Sequence, residues 1–126
     1  MRVPYTTTYF PAAPVIEVRL GLSNRSLQVG PLMAYVDTGA DACVFPVPQI
    51  EQLGAKSRDR KFVPSILGER RLVNVYVFDI AIGNLRFLSV TSIADERGPD
   101  AILGRSLLNK LVMTLNGPQR SLEIPD

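Results

Sequence analysis

Residues 72–82 read LVNVYVFDIAI, and Gly83-Asn84 separates them from a second β-rich segment at residues 85–92. β-branched and aromatic side chains suit a pleated, half-buried surface, so the first segment predicts a long strand. Both of its faces are largely apolar, which indicates that much of the strand is covered on both sides. Because Gly-Asn is a two-residue hairpin signal, the two segments predict a β-hairpin.

Shorter segments extend this pattern. Ile16, Val18 and Leu20 alternate with polar residues, which is the two-residue period of a half-buried strand. Many short strands separated by turns predict one mainly β domain, with a closed or sandwich-like architecture and one or two short helices. Within residues 1–126 we expect an N-terminal arm (1–14), strands (15–22, 27–29, 32–36, 42–45, 101–103), short helices (48–53, 104–110), a loop (55–61) and a C-terminal hairpin (112–124).

The composition excludes several classes of function. The 126 residues contain no histidine, so Ser-His-Asp and Cys-His catalysis and the usual zinc sites are excluded, and we predict no metal and no cofactor. A net charge of +2 with 7% aromatic residues gives little support to a nucleic-acid-binding β-barrel. No apolar stretch approaches the length that spans a bilayer, so no membrane partner is expected.

The single cysteine, Cys43, cannot form an intramolecular disulfide and lies in an apolar run. A buried small hydrophobic residue is therefore a better interpretation than a nucleophile. Nothing in this pattern requires an oxidising compartment, and the N-terminal segment lacks the apolar core of a secretory signal. We expect a soluble cytoplasmic protein.

Two segments carry the functional signal. In the first, a hydrophobic strand at 32–36 ends in Asp37, followed by Thr38-Gly39-Ala40-Asp41. Taken alone, this pattern also fits an Asx-type turn that closes a strand. In the second, Ile102-Leu103 is followed by Gly104-Arg105 and the paired leucines of a short helix. In order and separation the two segments resemble the signature blocks of retroviral-type aspartic proteases, the retropepsins, and especially their cellular or bacterial relatives.

The resemblance implies a closed, barrel-like retropepsin fold that is active as a homodimer. An aspartic protease needs two carboxylates around one water, and this chain has one Asp-Thr-Gly. A two-fold axis would place Asp37 opposite its own copy. The implied function is an aspartic endopeptidase, with Asp37 catalytic and an extended peptide or protein segment as the substrate.

The other site residues follow from the same resemblance. Thr38 would hydrogen-bond across the dimer axis, and Gly39 would offer its carbonyl to the substrate. Asp41, beyond Ala40, would contact the substrate main chain and pair with Arg105, and such a carboxylate–guanidinium pair can be bidentate. The substrate-binding residues implied are Ala42, Val44 and Ile102 in the pockets, Asp100 at a subsite for polar or basic side chains, and Ile66, Leu67 and Gly68 at the tip of a flap spanning about 62–72.

A second interpretation remains open. The chain could be a catalytically silent dimeric module that keeps this fold and binds peptides without cleaving them, because a fold alone does not guarantee a function. The intact Asp37-Thr38-Gly39 argues against it, since plain peptide binding requires no carboxylate at a two-fold axis. Likewise, the flap segment could be an ordinary loop between strands.

Overall fold

The structure is a computed structural model that describes residues 1–64, 68–96 and 98–125. It is mainly β, with two short helices. In chain order the elements are β1 (Arg2–Pro4), β2 (Val15–Gly21), β3 (Leu27–Val36), β4 (Cys43–Pro46), α1 (Val47–Leu53), β5 (Asp59–Pro64), β6 (Arg70–Ile82), β7 (Leu85–Asp95), β8 (Ala101–Leu103), α2 (Arg105–Leu108), β9 (Thr114–Asn116) and β10 (Ser121–Glu123).

The main sheet closes into a barrel. Its order is β2-β3-β8-β4-β7-β6-β5, and a further pairing of β2 with β6 joins the two sides. Strand β6 is long enough to serve two partners at one edge. Residues 79–81 pair with β2, whereas residues 70–75 pair with β5. The closed ring therefore consists of six strands, in the order β2, β3, β8, β4, β7 and β6. Strand β5 lies outside this ring.

The alternation in β2 decides which side chains enter the barrel. Ile16, Val18 and Leu20 are buried, whereas Glu17 and Arg19 are exposed. Each fully buried aliphatic side chain contributes on the order of 2 kcal/mol relative to an exposed one. The Phe45 ring of β4 packs against the Phe78 ring of β6 in the same core, with their centroids 5.7 Å apart.

Two segments differ from the sequence expectation. Leu27–Val36 is one continuous strand, although the sequence predicted two shorter strands at 27–29 and 32–36. The opposite strand β2 shifts register next to this point, between Val18 and Leu20, which absorbs the irregularity. Asp59–Pro64 begins within the predicted loop, because β5 is an edge strand and charged side chains are well tolerated there.

A second, smaller sheet joins the two ends of the chain. Its order is β1-β10-β9, with Val3 paired to Leu122 and Leu122 paired to Leu115. The first residues of the predicted arm thus form a strand. Leu122 is fully buried in the core, so this sheet packs against the barrel.

Asp79 is a buried carboxylate in β6, with 1% of its surface exposed. Arg86 Nε donates to its Oδ2 at 3.0 Å, Arg86 Nη2 lies 3.0 Å from the same oxygen, and the Ser89 N–H donates to its Oδ1 at 3.0 Å. The same guanidinium also donates to the carbonyls of Leu22 and Arg25. The pair therefore joins the β6–β7 hairpin to the turn after β2.

Replacing Arg86 by Ala should leave the Asp79 carboxylate buried without a counter-charge. We expect the free energy of unfolding to fall by about 3–5 kcal/mol in a urea titration. The matched control is Arg2→Ala, since Arg2 forms an exposed pair with Glu123 at 3.6 Å. That change should cost less than about 1 kcal/mol. Equal losses in the two variants would contradict the buried-charge explanation.

Candidate active site

The site forms where two parallel strands end side by side. Val36, the last residue of β3, pairs with Leu103, the last residue of β8. The next N–H, that of Asp37, donates to the Leu103 carbonyl at 3.0 Å. Asp37 itself is exposed. The main chain of Asp37 is thus fixed by the sheet, while its carboxylate faces the solvent.

The loop after β3 is closed by a hydrogen bond to the Asp37 side chain. The Gly39 N–H donates to Asp37 Oδ1 at 2.9 Å, and the Ala40 N–H donates to the Asp37 carbonyl at 3.2 Å. This is the Asx-type turn that the sequence allowed. It orients one carboxylate oxygen and leaves Oδ2 without a hydrogen-bond donor among the described residues. A turn of this kind is compatible with a reactive carboxylate. The Asx-turn interpretation and the catalytic interpretation of Asp37 therefore do not exclude each other.

Arg105 braces this loop from the start of α2. Its Nη2 lies 2.6 Å from Asp41 Oδ1, and its Nη1 donates to the Thr38 carbonyl at 2.6 Å. Asp41 and Arg105 were expected to pair from the family resemblance, but the guanidinium divides its donors between the Asp41 carboxylate and the Thr38 carbonyl instead of binding Asp41 bidentately. Both side chains are well exposed, so their pairing adds little stability and mainly fixes position.

Backbone contacts join the same two segments. The Arg105 N–H donates to the Ala40 carbonyl at 2.8 Å, and the Ser106 N–H donates to the Asp41 carbonyl at 3.0 Å. Gly104 permits this approach, because a Cβ there would lie 2.9 Å from the Ala40 oxygen and closer still to the Ala42 carbonyl. The loop and the helix start are therefore in direct main-chain contact.

Ser106 is a supporting residue that the sequence analysis missed. Its Oγ accepts the Cys43 N–H at 3.0 Å and donates to the Thr91 carbonyl at 2.8 Å. It thus links α2 to β4 and β7. Cys43 is fully buried, as expected, and burial raises the pKa of its thiol. A single serine after Arg105 carries no sequence signal that would distinguish it from a solvent-exposed residue of a helix start.

A row of half-buried side chains crosses the sheet beside Asp37. In register, Tyr35 pairs with Ile102, Ile102 with Val44, Val44 with Ile93, and Ile93 with Val75. Directly paired side chains lie on one face of a sheet. All five are partly exposed, unlike their buried neighbours in the barrel core. Val44 and Ile102 were predicted for the pockets, whereas Tyr35, Ile93 and Val75 emerge only from the strand register.

Asp100 lies at one end of this row. It is exposed and close enough to Tyr35 for its charge to act on the phenol. The Tyr35 ring packs on Tyr9, with centroids 4.5 Å apart. Desolvation, the hydrogen bond to Tyr9, and the charges of Tyr9 and Asp100 raise the pKa of Tyr35 above its ordinary value. Ala42, also predicted to line a pocket, is buried with 6% of its surface exposed.

The predicted flap coincides with the end of the β5–β6 hairpin. The last described pair is Pro64 with Arg70, and the Arg70 guanidinium lies 5.4 Å from the centroid of the Phe62 ring. Phe62 pairs with Leu72, and both are exposed, at 59% and 44%. Ile66 and Leu67 lie outside the described residues. Gly68 is exposed and has a positive φ of 82°.

This combination of a closed β-barrel with an Asp-Thr-Gly loop braced by Gly-Arg defines an acid-protease type of protein. The family described as aspartyl protease matches residues 18–107. The chain therefore belongs to this family of aspartyl proteases. No curated protein sequence matches it. None of the helices in the described ranges is long and apolar enough to cross a membrane.

Solved structures show the same fold. A retropepsin-like aspartic protease from Rickettsia conorii superposes with a TM-score of 0.69 at 15% identity, covering 97% of this chain and 86% of that one. The retroviral protease-like domain of Ddi1 from Leishmania major gives 0.56 at 18% identity, covering 90% and 89%. At these identities the likeness establishes the fold alone. The expected barrel-like retropepsin fold is confirmed.

Replacing Gly104 by Ala should damage the site, because the new methyl would collide with backbone and not with a flexible side chain. We expect a loss of about 1–3 kcal/mol in the free energy of unfolding. Gly117→Ala is the matched control, since no neighbouring atom lies within 4 Å of a Cβ there. Chemical denaturation of both variants measures the difference. A Gly104→Ala protein as stable as the control would contradict the close approach.

Proposed function

We propose that the chain is an aspartic endopeptidase whose active form is a homodimer with one Asp37 from each copy. The observation that carries this proposal is the placement of Asp37. In a member of the aspartyl protease family, it is an exposed carboxylate at the end of a barrel strand, held by Gly39 and Leu103. The free thiol of Cys43 needs no oxidising environment, so we further propose a cytoplasmic location.

The chemistry requires the second copy. Two carboxylates at short range cannot both ionise, so the pair holds one proton. The ionised Asp37 accepts a proton from water, and the water oxygen adds to the peptide carbonyl carbon. The protonated Asp37 of the other copy donates to the carbonyl oxygen. The Asp37 that took the proton from water then donates it to the amide nitrogen, and the other Asp37 recovers a proton from a hydroxyl of the tetrahedral diol. The C–N bond breaks, giving a carboxylic acid and an amine, and the pair again holds one proton.

The residues around Asp37 have supporting roles in this proposal. Arg105 holds the Thr38 carbonyl, which leaves the Thr38 side chain available to hydrogen-bond across the axis. The Gly39 carbonyl and the Asp41 side chain would contact the substrate main chain. Ala40 joins this loop to the N–H of Arg105. A loop fixed in this way keeps two identical carboxylates at a constant separation, which is what preorganised catalysis needs.

The substrate in this proposal is an extended polypeptide segment. Such a segment binds as an added strand, with main-chain hydrogen bonds and alternating side chains. The half-buried row from Tyr35 to Val75 offers apolar contacts for those side chains. The β5–β6 hairpin, which presents exposed Phe62 and Leu72, would cover the segment from the other side. A folded globular surface lacks the continuous free backbone that binding as an added strand requires.

Replacing Asp37 by Asn should abolish cleavage of a casein or peptide library at mildly acidic pH, because no carboxylate pair remains to activate the water. The dimer should persist, which size-exclusion chromatography with light scattering can measure. The matched control is Glu51→Gln, an exposed carboxylate on α1, and it should cleave as the unchanged chain does. Cleavage by Asp37→Asn at the normal rate would show that Asp37 is not catalytic. An unchanged chain that binds peptides without cleaving them would favour the silent module.

Replacing Asp100 by Val should change the cleavage preference. The carboxylate lies exposed beside Tyr35 at the end of the apolar row, so its removal should shift one subsite from polar or basic toward apolar side chains. Cleavage-site profiling with a peptide library measures the shift, and Glu51→Val is the control for a charge lost elsewhere. An unchanged profile would remove Asp100 from the substrate-binding residues.

A further inference from the structure

The N-terminal arm carries a loop that is anchored next to the candidate active site. The base of this loop is a bridge between Thr6 and Ala13, in which each N–H donates to the other residue's carbonyl, at 2.9 and 3.1 Å. The Pro14 carbonyl, just beyond the bridge, accepts the Val36 N–H at 3.1 Å. The loop is thus hydrogen-bonded to the end of β3, and Tyr9 lies within it.

Tyr9 packs on the face of β3 that carries Asp37. Tyr35 stands two residues before Asp37, and alternate side chains of a strand lie on one face. The pleat continues to Asp37, because its N–H donates to the Leu103 carbonyl. The Tyr9 ring lies 4.5 Å from the Tyr35 ring between centroids, tilted by 46°, and the two side chains are hydrogen-bonded. The arm therefore adds a second aromatic ring at the Tyr35 end of the half-buried row.

A negative charge lies at the same place. Asp100 is exposed, and its charge acts on Tyr35. Among residues 1–64, 68–96 and 98–125, it has no partner in an ion pair. A carboxylate pairs with a cation, the face of an aromatic ring attracts one, and the aliphatic stem of arginine or lysine packs on apolar surface. Two tyrosine rings beside a carboxylate therefore fit a cationic side chain better than an acidic one.

We infer that Tyr9 is a specificity-determining residue, which forms with Tyr35 and Asp100 a subsite for an arginine or lysine side chain of the peptide. The inference rests on the proposed function and narrows its substrate class to segments with a basic residue near the cleaved bond. The hydrogen bond to Tyr35 holds the Tyr9 ring in place, and the ring supplies the surface on which the cation and its stem lie.

The test uses a positional peptide library in which each position in turn carries arginine or citrulline, which has nearly the same shape but no charge. At one position, arginine should give a higher kcat/KM than citrulline. Tyr9→Ala should lower this preference about 5- to 10-fold, as expected for the loss of a cation–π contact, and should change kcat/KM for the citrulline peptides much less. The matched control is Phe10→Ala, since the neighbouring Phe10 is fully exposed, and it should keep the whole preference.

Two conservative variants isolate the ring from the bulk of the side chain. Tyr9→Phe keeps the aromatic face and should keep most of the preference for arginine. Tyr9→Leu keeps a similar bulk without that face, so it should lose the preference as Tyr9→Ala does, and it serves in place of Tyr9→Ala if that variant does not fold. Thermal unfolding measures whether each variant is folded.

A merely structural role for Tyr9 gives a different result. A ring that only stabilises the arm would, when removed, lower Tm and slow the cleavage of all peptides alike, with the arginine-to-citrulline ratio unchanged. A ring that only blocks the cleft would, when removed, speed the cleavage of all peptides alike. Either result overturns the inference.

The outcomes also separate this inference from the proposed function. If the chain cleaves no peptide, the same library is tested for retention on the immobilised chain. Retention that prefers arginine and depends on Tyr9 supports the subsite and contradicts the catalytic proposal. Cleavage without a Tyr9-dependent preference overturns the subsite and leaves the catalytic proposal standing. A chain that neither cleaves nor retains any peptide overturns both.

Discussion

The parallel pairing of β3 with β8 is the constraint on which the site depends. It brings two segments that are distant in the chain to one sheet position, so that Asp37 and Gly104 follow strand ends that lie side by side. The second segment then supplies the long-range contacts that fix the Asp37 loop: a carbonyl from Leu103, free space at Gly104 and donors from Arg105. Neither segment contains the site alone, and for that reason the Asp37 segment taken singly also fits an ordinary Asx-type turn.

Much of the fold could be predicted because its signals are local. Alternation in β2 and the Gly83-Asn84 turn of the β6–β7 hairpin depend on neighbouring residues, and the Gly54 cap of α1, in the left-handed region at φ 77°, does so too. The continuity of β3 through Gly30-Pro31 could not be predicted, since it depends on a register shift in another strand. The charged start of β5 was missed for a related reason: residues typical of loops are also typical of edge strands.

The residues of the candidate site likewise divide into those that a local sequence motif indicates and those that depend on the pairing of distant strands. Asp37, Asp41 and Arg105 could be predicted as candidates because the motif spacing carries them, and the structure places Arg105 in contact with Asp41. Ser106 and the row of Tyr35, Ile93 and Val75 could not, because their significance lies in which residue stands opposite on the next strand. Strand order in this barrel mixes parallel and antiparallel neighbours, and no local pattern specifies such an order.

The two halves of strand β6 are supported unequally by their neighbouring strands. The second half is held on both edges, by β2 and β7, and is further fixed by the Asp79–Arg86 pair. Near the start of the strand, β5 is its one partner strand among the described residues. The start of β6 is therefore less constrained than its end. In the proposed enzyme, a hairpin supported in this way would bend over a bound peptide without disturbing the barrel strands that carry Asp37.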